Sequence, residues 1–233
     1  MINRFVHHFV IIYLMNLRSL FNQLMHLLIN FFTDYSDEKL VTYLNAELAN
    51  TFGNLLGRCT SKAVNASQTI PLRPATCDLS RTVGQEGLVL LHNIDALPVI
   101  VDEHYNDYAI YKAINAIMDV LRQTNAVVQN LAPWTLAKSK DESDEERLQH
   151  VLFLALHALK VSGLLLYPVI PNICGALMNK LGFSGVLEKQ KIEDFLENSS
   201  TEVKKLDTVK ITLFERVFVS EEMKITSSKE INS

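Results

Sequence analysis

The chain of 233 residues carries 22 Lys and Arg against 26 Asp and Glu, a formal net charge of -4. That mild acidity excludes binding to nucleic acid through bulk positive charge, so any such binding has to come from a local patch. Hydrophobic residues make up 48% and charged residues 21%, which excludes a disordered or fibrous chain, and the length allows one large or two small domains. The 8 Gly and 6 Pro are too few for a loop-rich sandwich and suit long helices. Cys59, Cys77 and Cys174 are scattered with no CxxC pair. This odd count argues against a disulfide framework and a zinc site, and for a reducing compartment.

Residues 1–32 stand apart from the rest. They contain no Asp or Glu, only Arg4 and Arg18 as strong bases, and His7, His8 and His26 among Leu, Ile, Phe, Val and Met. The longest apolar run, Phe9 to Met15, falls well short of the roughly 20 residues that span a bilayer. Membrane contact by this stretch is not expected, although its apolarity leaves that reading open. Composition leaves three readings of equal weight. The stretch is an apolar helix packed on the body, a mitochondrial transit segment poorer in Ser and Arg than usual, or not native coding sequence at all.

From residue 34 the chain reads as helices. Ser36, followed by Asp37 and Glu38, has the hydroxyl and the acids of a helix start. Leu40, Leu44, Leu48, Phe52, Leu55 and Leu56 then recur at spacings of three and four and mark one buried face. Residues 67–100 hold Pro71, Pro74, Pro98, Gly84 and Gly87 and read as a connector with a short helix near 80–95. Ile110, Ile114, Ile117, Met118, Leu121 and Val128 define a second long helix, which Pro133 ends because the residue before a proline is pushed out of the helical region. The acidic run Asp141 to Glu146 reads as an exposed turn and helix start. The helix it opens, to Tyr167, is apolar nearly all round and must lie inside a bundle. Pro171 to Leu181 forms a last short helix closed by Gly182. Alternation at Val209, Ile211, Leu213, Val217 and Val219 predicts a short strand or tail. The predicted fold class is all-α, with Leu44, Leu48, Leu55, Ile114, Met118, Leu121, Leu152 and Leu159 in one core.

No GxGxxG, GxxxxGK[ST], HExxH or GxSxG occurs, so no dinucleotide fold, P-loop, zincin or nucleophile elbow is signalled. Asp102, Glu103, His104 and Asp107 read as an exposed helix start rather than a metal site. His157, inside the apolar third helix, reads as a core histidine rather than a base. What remains is a binding surface. Asn54 and Arg58, four apart, share one side of a helix, and Trp134, the single tryptophan, follows a helix-ending proline. A ring held at a helix end can stack on a base whose edge Asn and Arg then read. Each residue also has a plain structural reading: Trp134 a core plug, Arg58 a surface ion pair, Asn54 an interhelix contact.

Four stretches carry a resemblance. Leu48-Ala49-Asn50-Thr51-Phe52-Gly53-Asn54-Leu55-Leu56-Gly57-Arg58 resembles the first helix of the anticodon-binding domain of methionyl-tRNA synthetases, of the type ELAN-x-x-GNLLxR. Asn125 through Ala132-Pro133-Trp134-Thr135-Leu136-Ala137-Lys138 resembles that family's APW-x-LAK signature. Leu165 to Pro171 with Leu181-Gly182 is similar to its closing helices. Lys210 to Val217 is similar to its LFPRI-type end, with Glu215 where proline or lysine is common. The match runs from about Thr33 to Val217 in order, and the weak basic balance, the Cys59 context and the short tail look most like the mitochondrial type of a eukaryote.

The resemblance implies a helical bundle of the class I aminoacyl-tRNA synthetase anticodon-binding type over residues 34–185. It would be preceded by an apolar extension over 1–33 and followed by a hydrophilic extension over 186–233. It implies that Asn54, Arg58, Pro133 and Trp134 contact or position the CAU anticodon of tRNA(Met), with the tryptophan stacking on a base. The family's HIGH- and KMSKS-type signatures, which serve ATP and methionine, are absent from the sequence. The chain is thus expected to be a fragment or alternative product that holds no cofactor and no metal, has no catalytic residue, and is inactive alone as a ligase. It is also expected to be a monomer that does not bind DNA. Localisation is expected in the mitochondrial matrix, or in the cytoplasm if residues 1–32 do not target it. Two competing readings stand beside this one: a helical scaffold or regulator derived from the synthetase, and the related bundle of a leucyl-, valyl- or isoleucyl-type enzyme.

Overall fold

The computed structural model describes residues 41–42, 44–183, 203–209 and 211–214. The Ser36 start, the three readings of residues 1–32, and Val217 and Val219 lie outside the described residues. Helices run through most of the described chain, as the all-α reading requires. A π-helix, Leu44–Gly53, passes directly into α1, Asn54–Thr60; then come β1, Thr69–Ile70; α2, Thr76–Asn106; α3, Ile110–Leu131; the single turn α4, Pro133–Leu136; α5, Glu142–Leu166; α6, Pro171–Lys180; and β2, Lys204–Lys205.

Helix α5 is the axis of the bundle, with α2, α3, α1, α4 and α6 packed against it. It is long and apolar enough to cross a membrane by composition, yet every residue from Val151 to Leu166 is buried within the protein. Its polar start is exposed, and the Asp141 side chain caps it by accepting from the Ser143 N–H at 2.9 Å.

The connector expected over 67–100 is shorter than that: it ends at residue 75, and the helix expected near 80–95 extends from Thr76 to Asn106. Thr76–Asn106 is helical on both sides of a break at Gly84, whose φ 69° and ψ -168° are not helical, so α2 is two helices in tandem across a kink, the second and longer one carrying Pro98 in its interior. Gly84 acts as the breaker it read as, but at Pro98 the buried face was the stronger term. Leu90, Leu91, Ile94 and Leu97 are all buried at about 1.5–3 kcal/mol apiece, which offsets the roughly 3 kcal/mol that an interior proline costs. Asp102, Glu103 and His104 consequently sit in the last turn of α2 and not at a helix start.

The predicted core holds at Leu55, Met118, Leu121, Leu152 and Leu159, all buried, while Ile114 is half-buried and packs on their cluster. Leu44 and Leu48 are corrections: both are only half-buried. The π winding of Leu44–Gly53 widens each turn from i+4 to i+5, so a stripe spaced for an α-helix drifts off the inner face. Only Phe52 of that segment is buried.

The strand expected at residues 209–213 lies earlier. Lys204 and Lys205 pair antiparallel with Ile70 and Thr69, and Leu206 is buried in the core. Ile211, Leu213 and Phe214 pack against the core without a strand. The Lys180 ammonium donates to the Val209 carbonyl at 2.9 Å and to that of Asp207, which draws this segment onto the end of α6. Gly182 closes α6 at φ +81°, and a Cβ there would lie 2.2 Å from the Lys205 carbonyl oxygen, so glycine is required at this crossing.

Candidate nucleic-acid interface

The first helical segment and α3 run in parallel, joined by three polar contacts that climb both helices together. Arg122 pairs with Glu47 at 2.5 Å. The Asn125 amide donates to the Thr51 carbonyl at 2.9 Å. The Arg58 guanidinium donates to Gln129 Oε1 at 3.3 Å. Positions 122, 125 and 129 are three and four apart, so they form one stripe on α3. This ladder brings the last turn of α1, which holds Arg58, level with the C-terminal end of α3.

At that end the chain reverses sharply. Ala132 adopts the left-handed region at φ 45°, ψ 61°, a conformation costing an L-residue about 1–2 kcal/mol. Buried Pro133 follows as the first residue of α4, where its missing N–H costs nothing. The turn closes with the Thr135 N–H donating to the Ala132 carbonyl at 2.8 Å. Trp134 is thereby set half-buried on the core.

The Arg58 guanidinium carbon lies 5.8 Å from the Trp134 ring centroid, within the range of a cation–π contact, worth about 0.5–1 kcal/mol at exposed sites. Asn54, at the start of α1, is exposed, and Arg58 is half-buried. The structure thus brings Arg58 and Trp134 together across the helix junction. It places Asn54 one turn away on the same helix as Arg58 and Pro133 buried at the start of the turn that carries the ring. Gln129 was missed by sequence reasoning. Its signal is present in retrospect, since it stands four residues after Asn125, the first residue of the APW-type motif.

The groups near this surface are suited to binding rather than bond-breaking. The Cys59 thiol, adjacent to Arg58 in the chain, is fully buried. Burial pushes its pKa up to about 12 against the opposing charge of Arg58, so it stays a neutral thiol and a poor nucleophile. Burial raises the Cys174 thiol in the same way. His157 stacks on Phe153 with centroids 5.3 Å apart and lies 3.4 Å from Asp95 Oδ1, with its pKa pulled down by burial: a core histidine, as its position in an apolar helix predicted. Among the described residues no group of His, Cys, Asp and Glu is placed to hold a metal ion. A planar ring, a guanidinium and the Gln129 carboxamide meeting at one helix junction, with Asn54 one turn away, match the needs of unpaired bases, which stack on rings and present hydrogen-bonding edges.

Comparison with known proteins identifies the family of the fold. The model of the family described as the anticodon-binding domain of tRNA ligase matches residues 88–232. The mitochondrial methionine–tRNA ligase of Homo sapiens is 42% identical over 163 residues, covering 66% of this chain and 27% of that protein. Its counterpart from Mus musculus is 42% identical, covering 66% and 28%. The apo crystal structure of Mycobacterium tuberculosis methionyl-tRNA synthetase superposes with a TM-score of 0.69 at 26% identity, over 80% of this chain and 36% of that one. The chain therefore spans a little over a quarter of the length of these curated relatives.

Proposed function

We propose that this chain, which belongs to the family of anticodon-binding domains of tRNA ligases, recognises tRNA(Met) through its CAU anticodon. The observation that carries the reading is the Arg58 guanidinium standing 5.8 Å from the Trp134 ring centroid on an accessible junction. An anticodon base leaving its stack finds a ring on which to re-stack, worth roughly 1–3 kcal/mol. Arg58 supplies donors to the acceptors on a base edge, and Asn54 supplies both a donor and an acceptor. Pro133 and the left-handed Ala132 hold the ring before tRNA arrives, so little ordering cost falls on binding.

The ligase activity named for the relatives is not assigned to this chain. The sequence has no HIGH- or KMSKS-type signature, and we infer that it holds neither ATP nor methionine and activates no amino acid alone. The mitochondrial relatives support a mitochondrial location.

The test is titration of the full chain with a stem-loop carrying CAU and with one carrying a changed anticodon. A preference of about tenfold or more for CAU is expected, one lost pairing being worth about 1.4 kcal/mol. Equal affinity for the two loops overturns the reading. Methionine-dependent ATP–pyrophosphate exchange by pure protein above a heat-killed control overturns the non-catalytic assignment.

A further inference from the structure

We infer that Gln129 is a positioning residue for anticodon recognition, holding Arg58 beside the Trp134 ring through a neutral acceptor so that the guanidinium keeps its full charge for RNA. The inference rests on the anticodon reading above and adds a residue to it. Gln129 is exposed in the last turns of α3, belongs to no buried cluster, and meets Arg58 from the other helix at 3.3 Å. An unrestrained arginine has about 2 kcal/mol of rotamer entropy to lose on binding. One anchor on Gln129 and the ring 5.8 Å from its carbon restrict that freedom in advance.

The chemistry of the acceptor matters as much as its place. Among the described residues, Arg73, Arg81 and Arg122 each pair with a carboxylate, which cancels their charge at short range. Arg58 is held instead by a carboxamide oxygen. A carboxylate at this position would hold the guanidinium equally well by a charge-assisted bond. It would also neutralise the cation and repel the phosphates of the incoming loop. Glutamine secures orientation without either penalty, and its NH2 keeps two donors that Arg58 does not use.

The experiment compares binding of the CAU stem-loop and a changed stem-loop by the full chain and its Q129A, Q129E, R58A and R58A/Q129A variants. Q129A should weaken CAU binding by about threefold and lower the CAU preference by the same factor, while Q129E should weaken it by about tenfold. In the R58A background, Q129A should have no further effect, because its only route is through Arg58. Thermal melts should be unchanged for Q129A, since the side chain is exposed. If the wild-type chain discriminates but Q129A and R58A are additive, or Q129E binds like wild type, this inference is overturned and the anticodon reading stands. If the wild-type chain does not discriminate at all, the anticodon reading fails and takes this inference with it.

Discussion

Arg58 and Arg73 are both held against the bundle from outside, and they are partnered in opposite ways. Arg73, just after β1, makes a two-pronged pair with Asp95 of α2 at 3.0 and 2.5 Å, and His157 of α5 approaches the same carboxylate at 3.4 Å. Burial disfavours the charged carboxyl, but the His157 and Arg73 contacts outweigh it and hold Asp95 well below the usual carboxylate range. Close by, Lys160 is buried, its ammonium 5.7 Å from the Phe183 ring centroid, with its pKa pushed down to about 8 by burial and by Arg73. Here the charge of the arginine is met by a carboxylate of the fold itself. At the α1–α3 junction, by contrast, the arginine meets a ring and a neutral amide, and its charge is left over. The difference separates an arginine that ties helices together from one that can meet a polyanion.

The comparison breaks first at Arg58 and Trp134. R58A should weaken CAU stem-loop binding by about ten- to a hundredfold and abolish the CAU preference, with little change in melting temperature. W134A should lose a similar factor in binding but also melt lower, because its half-buried ring packs on the core. If both variants still discriminate CAU in the titration, the junction is not the reading head.

Asp95→Ala should do the reverse. It leaves a buried imidazole nitrogen unpaired, a loss of about 1–3 kcal/mol, and each kcal/mol lowers the melting temperature of a chain this size by about 2–4 °C. Anticodon selectivity should be unchanged. A variant that melts normally but binds poorly would place Asp95 with the binding surface instead.

Acid sharpens the contrast further. His157 and His150 both have pKa values lowered, by burial first, so the unfolded chain binds protons that the folded chain refuses. Stability should therefore fall as pH drops below about 6.5, and fall again below about 4 as unfolded carboxylates protonate before Asp95 does. His157→Gln should flatten the upper step in calorimetric melts between about pH 7 and about pH 5. An undiminished slope would assign that step to His150.

The smallest effect is expected at Lys138, exposed after α4. Lys138→Ala should weaken CAU and changed loops alike by about two- to threefold and lower the salt slope by about one. A change in the CAU ratio would make it a reader rather than a phosphate contact.

Much of this was legible in the chain itself. The all-round apolarity of Val151 to Leu166 required a central helix. Pro133 and Gly182 marked helix ends by their own backbone chemistry, and Asn54, Arg58 and Trp134 stood out by spacing and rarity. These are local properties, set by which residues stand three or four apart and by which φ a residue can adopt. What spacing could not decide were competitions between a local preference and a distant partner. Gly84 read as a break and is one, at φ 69°, whereas Pro98 read as a break until the neighbours that bury Leu90 to Leu97 made a continuous helix there the lower free energy. Leu44 and Leu48 read as core until π winding turned their face aside. Arg58 read as an ion pair or a reader with nothing in its spacing to choose the reader, because its partner stands on another helix 71 residues away. Only the tertiary structure chose a carboxamide for Arg58 and a carboxylate for Arg73, since the charge an arginine has left to offer depends on what the fold brings beside it.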